Sequence, residues 1–205
     1  MPGRPAVEGP LAFSRVIDKI NREIGKKVAW LILLAVIVAT VNAIVRKLFS
    51  VSSNAWLELQ WVLFGAVFLL CASWTLQVKE HIRIDIVNSM LPKRVQQWID
   101  LVGHVLFLMP FALLIVYHSV PFFLRSYAIN EQSLSAGGLP QWPAKGLVVI
   151  GFVMLVFQGV SEIIKQVAIM RGKLDDDDSS RGHAAAAEAE AQRLLDQAKA
   201  EGLAP

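Results

Sequence analysis

Four apolar runs, Val28–Val45, Trp61–Val78, Leu101–Leu124 and Gly146–Ile164, limit what this chain can fold into. None contains Lys, Arg or Asp, and their only acid is Glu162, near the end of the last run. As a helix rising 1.5 Å per residue, each is long enough to cross roughly 30 Å of hydrocarbon. A helix on a soluble domain keeps a polar face at every turn, and these keep none. The fold class that follows is an all-α membrane protein of four transmembrane helices. An N-terminal amphipathic interfacial helix precedes them and a polar cytoplasmic tail follows. The expected organisation is an N-terminal segment over 1–27, a four-helix membrane domain over 28–172 and an acidic, Ala-rich tail over 173–205. The spans are expected at about 28–45, 57–78, 101–124 and 146–170.

Composition narrows the function classes. Hydrophobic residues make up 55% of the 205, which fits neither disorder nor an ordinary soluble domain. About two fifths of the chain lies in the four runs and the connections are modest, so no separate enzyme domain is expected. The net charge of +3 is small, and the basic residues flank the apolar runs, which suits lipid headgroups rather than nucleic acid. Cys71, the single cysteine, lies inside the second run and is expected to pack as a small apolar residue. A cleaved signal peptide is a competing reading of the first run, with Val41-Asn42-Ala43 as the cut site. The run is too long for it, and 27 residues precede it. An uncleaved span is expected.

Lys and Arg set the orientation. With both termini inside, thirteen of the basic residues near the spans are cytoplasmic and four, Arg46, Lys47, Arg125 and Lys145, are external. Before the first span, Leu11, Phe13, Val16, Ile17, Ile20 and Ile24 recur at helical spacing among charged residues. This predicts an amphipathic helix, lying on the inner leaflet or packed on a partner protein.

Asn54 is placed as the N-cap of the second helix, with Trp56 and Trp61 as interfacial anchors near that end. Glu58 lies one turn inside. It reads as a polar packing contact, for example with Arg46 across the loop, or as an ion or proton site. The stretch from Lys79 to Asp100 is cytoplasmic, and Pro92 suits the first turn of a helix. From there the third helix could run to Leu124, longer than the bilayer is thick, with a kink at Pro110. The third loop carries Gly137-Gly138 and two prolines, with Trp142 at the outer interface. The fourth helix is expected to reach about Met170, with Gln158, Ser161 and Glu162 towards its inner end. The tail carries no expected chemistry.

No phosphate loop, paired-cysteine motif or zinc-protease motif is present. His104 and His118 are spaced like haem ligands, but two haems need two such helices. One haem between His81 and His104 is geometrically conceivable; the competing reading is hydrogen bonding within helix packing. No internal repeat appears and no ionisable acid or base sits at mid-span, so a substrate site of the secondary-transporter type is not expected. What remains is four helices that embed and position a partner. The alternatives are a haem- or quinone-linked membrane anchor of a redox complex, or a structural membrane protein of another assembly.

Three features together carry a resemblance. Glu58 opens the second span, His-Ile-Arg-Ile-Asp (His81–Asp85) follows it, and Glu131-Gln132-Ser133 with Gly137-Gly138-Leu139-Pro140-Gln141-Trp142-Pro143 precedes the fourth. From about Lys27 to Gly172 the chain resembles the small permease subunit of tripartite ATP-independent periplasmic (TRAP) transporters, the DctQ family. The last stretch most resembles the subgroup labelled mannitol/chloroaromatic compound transporters. The resemblance implies a bacterial inner-membrane subunit with no enzymatic activity and no cofactor of its own. It implies a periplasmic binding protein that delivers a solute, commonly an organic acid. It also implies a large permease that holds the solute and sodium sites, and on whose scaffold this chain packs. Glu58, His81, Arg83 and Asp85 are then structural or subunit-contact residues, with a phospholipid between the subunits near the last three. Arg125, Asn130, Glu131 and Lys145 are candidates to touch the binding protein, against simple solvent exposure.

Overall fold

The computed structural model describes residues 8–50, 53–78 and 92–173. They are almost wholly helical: α1 (Glu8–Phe49), α2 (Asn54–Gln77), α3 (Lys93–Val102), a π-helical stretch (Gly103–Leu108), α4 (Met109–Ala128) and α5 (Trp142–Met170). Four candidate spans result, because α3, the π stretch and α4 form one continuous rod. The loop from Lys79 and the tail beyond Lys173 lie outside the described residues, as do His81, Arg83 and Asp85.

α1 departs from expectation in two respects. Residues 11–24 do form a helix, but it is the beginning of the same helix that spans. The 42 residues run without a break, about 63 Å at 1.5 Å each. The buried face is also different from the apolar stripe. Ile17 is buried, yet Phe13, Val16 and Ile20 are exposed, and Ser14 and Asn21 are buried instead. The helix stops at Ser50, which takes a left-handed conformation with φ 54°. Arg46 and Lys47 lie in its last turn, where cations complement the helix dipole.

Three helix starts shift. Ser53 occupies the N-cap of α2 in extended conformation, and Asn54 is the first helical residue. The Asn54 amide reaches out of the helix and donates to the Ala136 carbonyl at 2.9 Å. Pro92 is the N-cap of α3 rather than part of its first turn, its carbonyl accepting from the N–H groups of Val95 and Gln96. α5 starts at Trp142, four residues ahead of the expected span, with Pro143 in the first turn, where its missing N–H costs nothing. Its C-terminus ends as expected at Met170. Gly172 there adopts φ 66°, and the N–H groups of Gly172 and Lys173 return to Ile169 and Ala168. This is the paired closure typical of a left-handed helix cap.

The disturbance expected at Pro110 falls just ahead of it. Proline lacks an N–H, and its ring crowds the carbonyl four residues back, that of Leu106. The chain widens to a π-helical turn over Gly103–Leu108, in which the Met109 N–H bonds to the His104 carbonyl. The rod continues through Pro110, and Pro121 is also accommodated inside α4.

α5 is the helix about which the others pack. Gly151 meets α2 so closely that a Cβ there would lie 2.9 Å from the Leu69 carbonyl oxygen. Phe152 packs edge-on to Phe111 of α4, with ring centroids 6.1 Å apart. Gln166 donates to the Gln97 carbonyl of α3. α1 packs along α2, where the Cys71 thiol approaches the Gly25 carbonyl. Buried positions such as Ala35, Ala66, Ser73 and Ala112 are small, whereas Trp30, Phe107 and Tyr117 are exposed. That inverts the soluble pattern and suits helices approaching one another inside lipid.

Gly151→Val should lower the thermal midpoint in detergent, since overpacking of this kind costs about 1–3 kcal/mol. An unchanged midpoint would show that α2 and α5 have room to spare.

Candidate functional site: two polar clusters on the central helix

Polar side chains gather at both ends of α5. Towards its C-terminus, Gln158, Ser161, Glu162 and Lys165 fall at intervals that share one face of a helix. Ser14, Asp18 and Asn21 do the same near the start of α1. The two faces meet. Asn21 donates to the Gln158 side-chain oxygen at 2.7 Å, and Ser14 and Ser161 hydroxyls are 2.6 Å apart. The Gln158 amide donates to Asp18 at 2.8 Å and to Glu162 at 2.9 Å. Ser161 also donates to Asp18, at 2.9 Å. Lys165 bridges Asp18, at 3.0 Å, and Glu162, at 2.5 Å.

Burial makes these bonds consequential. Gln158, Ser161, Ser14 and Asn21 are almost fully enclosed, and Glu162 nearly so. An enclosed polar group left without a partner costs about 1–3 kcal/mol, more if charged. The seam gives every one of these groups a partner from the opposite helix or the adjacent turn. Of the residues in it, Gln158, Ser161 and Glu162 were visible as polar positions in an apolar run. Their partnership with Ser14, Asp18 and Asn21 was not, although the matching spacing of the two polar stripes was a readable signal.

The second cluster joins the start of α2 to the 129–141 loop and the start of α5. Glu58 accepts a hydrogen bond from the Ser133 hydroxyl on one oxygen. Its other oxygen accepts from the Leu139 backbone N–H at 2.7 Å. The partners of Glu58 are therefore in this loop, and Arg46 is not among them. The loop closes on itself through Ser133 N–H to the Leu139 carbonyl, Gln141 N–H to the Glu131 carbonyl, and a β-bridge between Gln132 and Pro140. The Gly137-Gly138 pair has a steric reason. Gly137 takes φ 71°, and a Cβ on Gly138 would sit 2.7 Å from a Glu58 oxygen.

The residues placed as outer-loop contacts divide into two groups. Arg125 and Asn130 are exposed. Glu131 and Lys145 pair with each other, and the Lys145 ammonium also lies 4.0 Å over the Phe122 ring. Lys145 is largely sunk into the structure. Trp56 and Trp61 are exposed near the start of α2, and Trp142 packs edge-on to Tyr127. His104 bonds to the Asp100 carbonyl one turn back in its own helix, the packing alternative considered for it. Among the described residues, no group of three or more His, Cys, Asp or Glu is arranged to hold a metal ion.

The fold and the two clusters define a multi-pass membrane protein in which these ionisable side chains tie helices and loops together. A family model described as the DctQ component of tripartite ATP-independent periplasmic transporters matches residues 35–168. That is about two thirds of the chain, and the chain belongs to this family: it is the small permease component of a TRAP transporter, a transporter part and not an enzyme. No curated relative and no solved structure matches the chain.

Lys165→Met should lower the thermal midpoint in detergent, because it strips a charged donor from two carboxylates, each such bond contributing about 1.5–3 kcal/mol. Adding Asp18→Asn should recover part of the loss, and no recovery would show that the two acids do not oppose each other through Lys165.

The hydrogen bond from the Lys145 ammonium holds the Glu131 carboxyl below its ordinary value of 4.5. The folded loop thus binds its proton less readily than the unfolded chain. Its contribution to stability is complete above that ordinary value and is lost as pH falls through the lowered one. Hydrogen exchange of residues 131–141, corrected for intrinsic rates, should stay flat from neutral pH and rise only in acid. Glu131→Gln should reduce the acid rise, leaving the part that Glu58 carries through Ser133 and Leu139; an identical rise in the variant would assign all of it to another group.

Proposed function

We propose that this chain is the non-transporting subunit of a sodium-driven uptake system for an organic acid or similar solute. The solute is delivered by a periplasmic binding protein to the large permease, which holds the solute and sodium sites. The small subunit packs on the stationary scaffold of the permease and steadies it in the bacterial inner membrane. Both termini face the cytoplasm, so the Glu58 cluster and the 129–141 loop lie on the periplasmic side. Within the family we place it with the subgroup labelled for mannitol and chloroaromatic compounds, on the Glu131-Gln132-Ser133 and Gly137–Pro143 stretch of the sequence.

One observation carries the reading. The charged groups of both clusters are engaged in joining helices and loops of this chain. A secondary transporter instead exposes such groups at broken helices near mid-membrane. The exposed faces are apolar and aromatic, which is what a helix needs to meet lipid or another helix. The positive-inside distribution of Lys and Arg supports the orientation. Arg125 and Asn130, exposed beside the 129–141 loop, remain the contacts we assign to the binding protein. His81, Arg83 and Asp85 we assign to the subunit boundary and to phospholipid there, on their place in the chain at the inner edge of the second span.

A tagged copy of the full chain, expressed with its neighbouring genes and extracted in mild detergent, should bring down a large polytopic permease. Proteoliposomes holding both subunits should take up solute when the binding protein and a sodium gradient are supplied. Recovery of a flavin or iron–sulfur subunit instead would replace this reading with a redox anchor.

A further inference from the structure

One side of α2 has the relief of a helix-docking surface. Trp61, Phe64 and Phe68 are 72%, 65% and 73% exposed and fall on one side of the helix, making an aromatic ridge. A groove lies on each flank. The one against α1 encloses about 620 Å³ and has Ala35, Ala39 and Gly65 among its walls. The one against α5 encloses about 300 Å³ and extends from Glu58 to Leu69. A ridge of large side chains between two grooves that share Gly65 is the shape into which the ridges of another helix fit.

The charge at the loop end of this surface identifies the occupant. Glu58 opens the groove against α5, inside a helix long and apolar enough to span. Its two oxygens each accept from a neutral donor, Ser133 and the Leu139 N–H. A carboxylate has about four acceptor positions, so these bonds leave room for more. Among the described residues no Lys, Arg or His forms an ion pair with it, in contrast to Glu131, Asp18 and Glu162. Acidic residues within spanning segments are costly unless paired. The two neutral bonds also hold this carboxylate at the groove mouth, which pre-organises it for a fixed counter-charge.

We propose that this face of α2 receives a transmembrane helix of the large permease, and that a Lys or Arg at the loop end of that helix pairs with Glu58. The proposal rests on the assignment of the chain as a permease partner and adds to it the face, the helix and the charge of the contact. The aromatic ridge enters a groove of the incoming helix, and the incoming side chains fill the grooves beside α1 and α5. The cation closes the contact at the membrane edge, where it is partly desolvated and bonded to a carboxylate already oriented.

The test uses the full chain co-expressed with the permease. Photoreactive benzoylphenylalanine is placed at Phe68 on the ridge and, for comparison, at Tyr117, an exposed position on α4. Capture of the permease should be several-fold stronger from Phe68 than from Tyr117. Equal or stronger capture from Tyr117 overturns the proposal, as does a Phe68 adduct with aminophospholipid alone. For the charge, Glu58→Lys should lower permease recovery at least tenfold. Reversal of one Lys or Arg to Glu near the loop end of a permease helix should restore it. Failure of every such reversal overturns the ion pair. If the wild-type chain recovers the permease yet Phe68 captures nothing, this face is wrong and the proposed function stands. If the wild-type chain recovers no permease, the proposed function itself fails.

Discussion

Hydrocarbon offers no hydrogen bonds, so a polar side chain enclosed among spanning helices must find its partner in the protein. The seam between α1 and α5 is the main place where this chain meets that demand. Gln158 is its hub, accepting from Asn21 and donating to Asp18 and Glu162. Lys165 then joins the same two carboxylates. Break the hub, and Asn21, Asp18 and Glu162 all lose a bond, two of them, Asn21 and Glu162, where they are almost fully enclosed. The seam therefore fixes the register of α1 on α5, and α5 in turn fixes α2 through Gly151 and α4 through Phe152. Hydrogen bonds add to apolar packing a requirement of matched donors and acceptors, which a shifted register would leave unpaired.

The four spans, the disturbance near Pro110 and the end of α5 at Met170 were legible because each depends on local sequence: hydropathy over a run, a missing N–H, a glycine just past a helix. The beginning of α1 was not. Its apolar stripe gave a sound amphipathic pattern, but that pattern does not say whether the helix turns along the membrane surface or continues straight into the span. The decision lies in residues well over a hundred positions away, at Gln158, Ser161 and Lys165, which give Ser14, Asp18 and Asn21 a reason to turn inward. Asn54 illustrates the same limit at short range. Its type suits an N-cap, and Ser53 beside it suits one too. What separates them is the Ala136 carbonyl of a distant loop, which claims the Asn54 amide.

Glu58 sits between these cases. Its position one turn inside α2 marked it as a packing residue or a site, and the structure supplies the packing partners. The glycines at 137 and 138 are part of the same arrangement. One supplies a left-handed turn, and the other leaves space for the carboxylate, so a feature that reads as flexible in sequence produces a closed loop. The exposed tip of that loop is neutral, with Leu134 fully exposed between two serines. Its acid, Glu131, pairs with Lys145 in the first turn of α5. A loop tied down in this way presents a fixed surface at the edge of the bilayer and gives up little entropy when something binds it.

The proposed scaffold role follows from where rigidity is placed. A scaffold, as proposed for this chain, must hold its shape under load rather than respond to it. In this chain the ionisable groups at the two ends of α5 are coupled to neighbours rather than to a route through the membrane. A side chain already committed to several partners has no second arrangement of similar energy in which to hold a passing ion. The aromatic ridge of α2 is the complementary part of that design, since its large side chains are mostly exposed. A hydrogen-bonded interior and an exposed aromatic face together fit the proposed role of a bundle that packs on a larger permease.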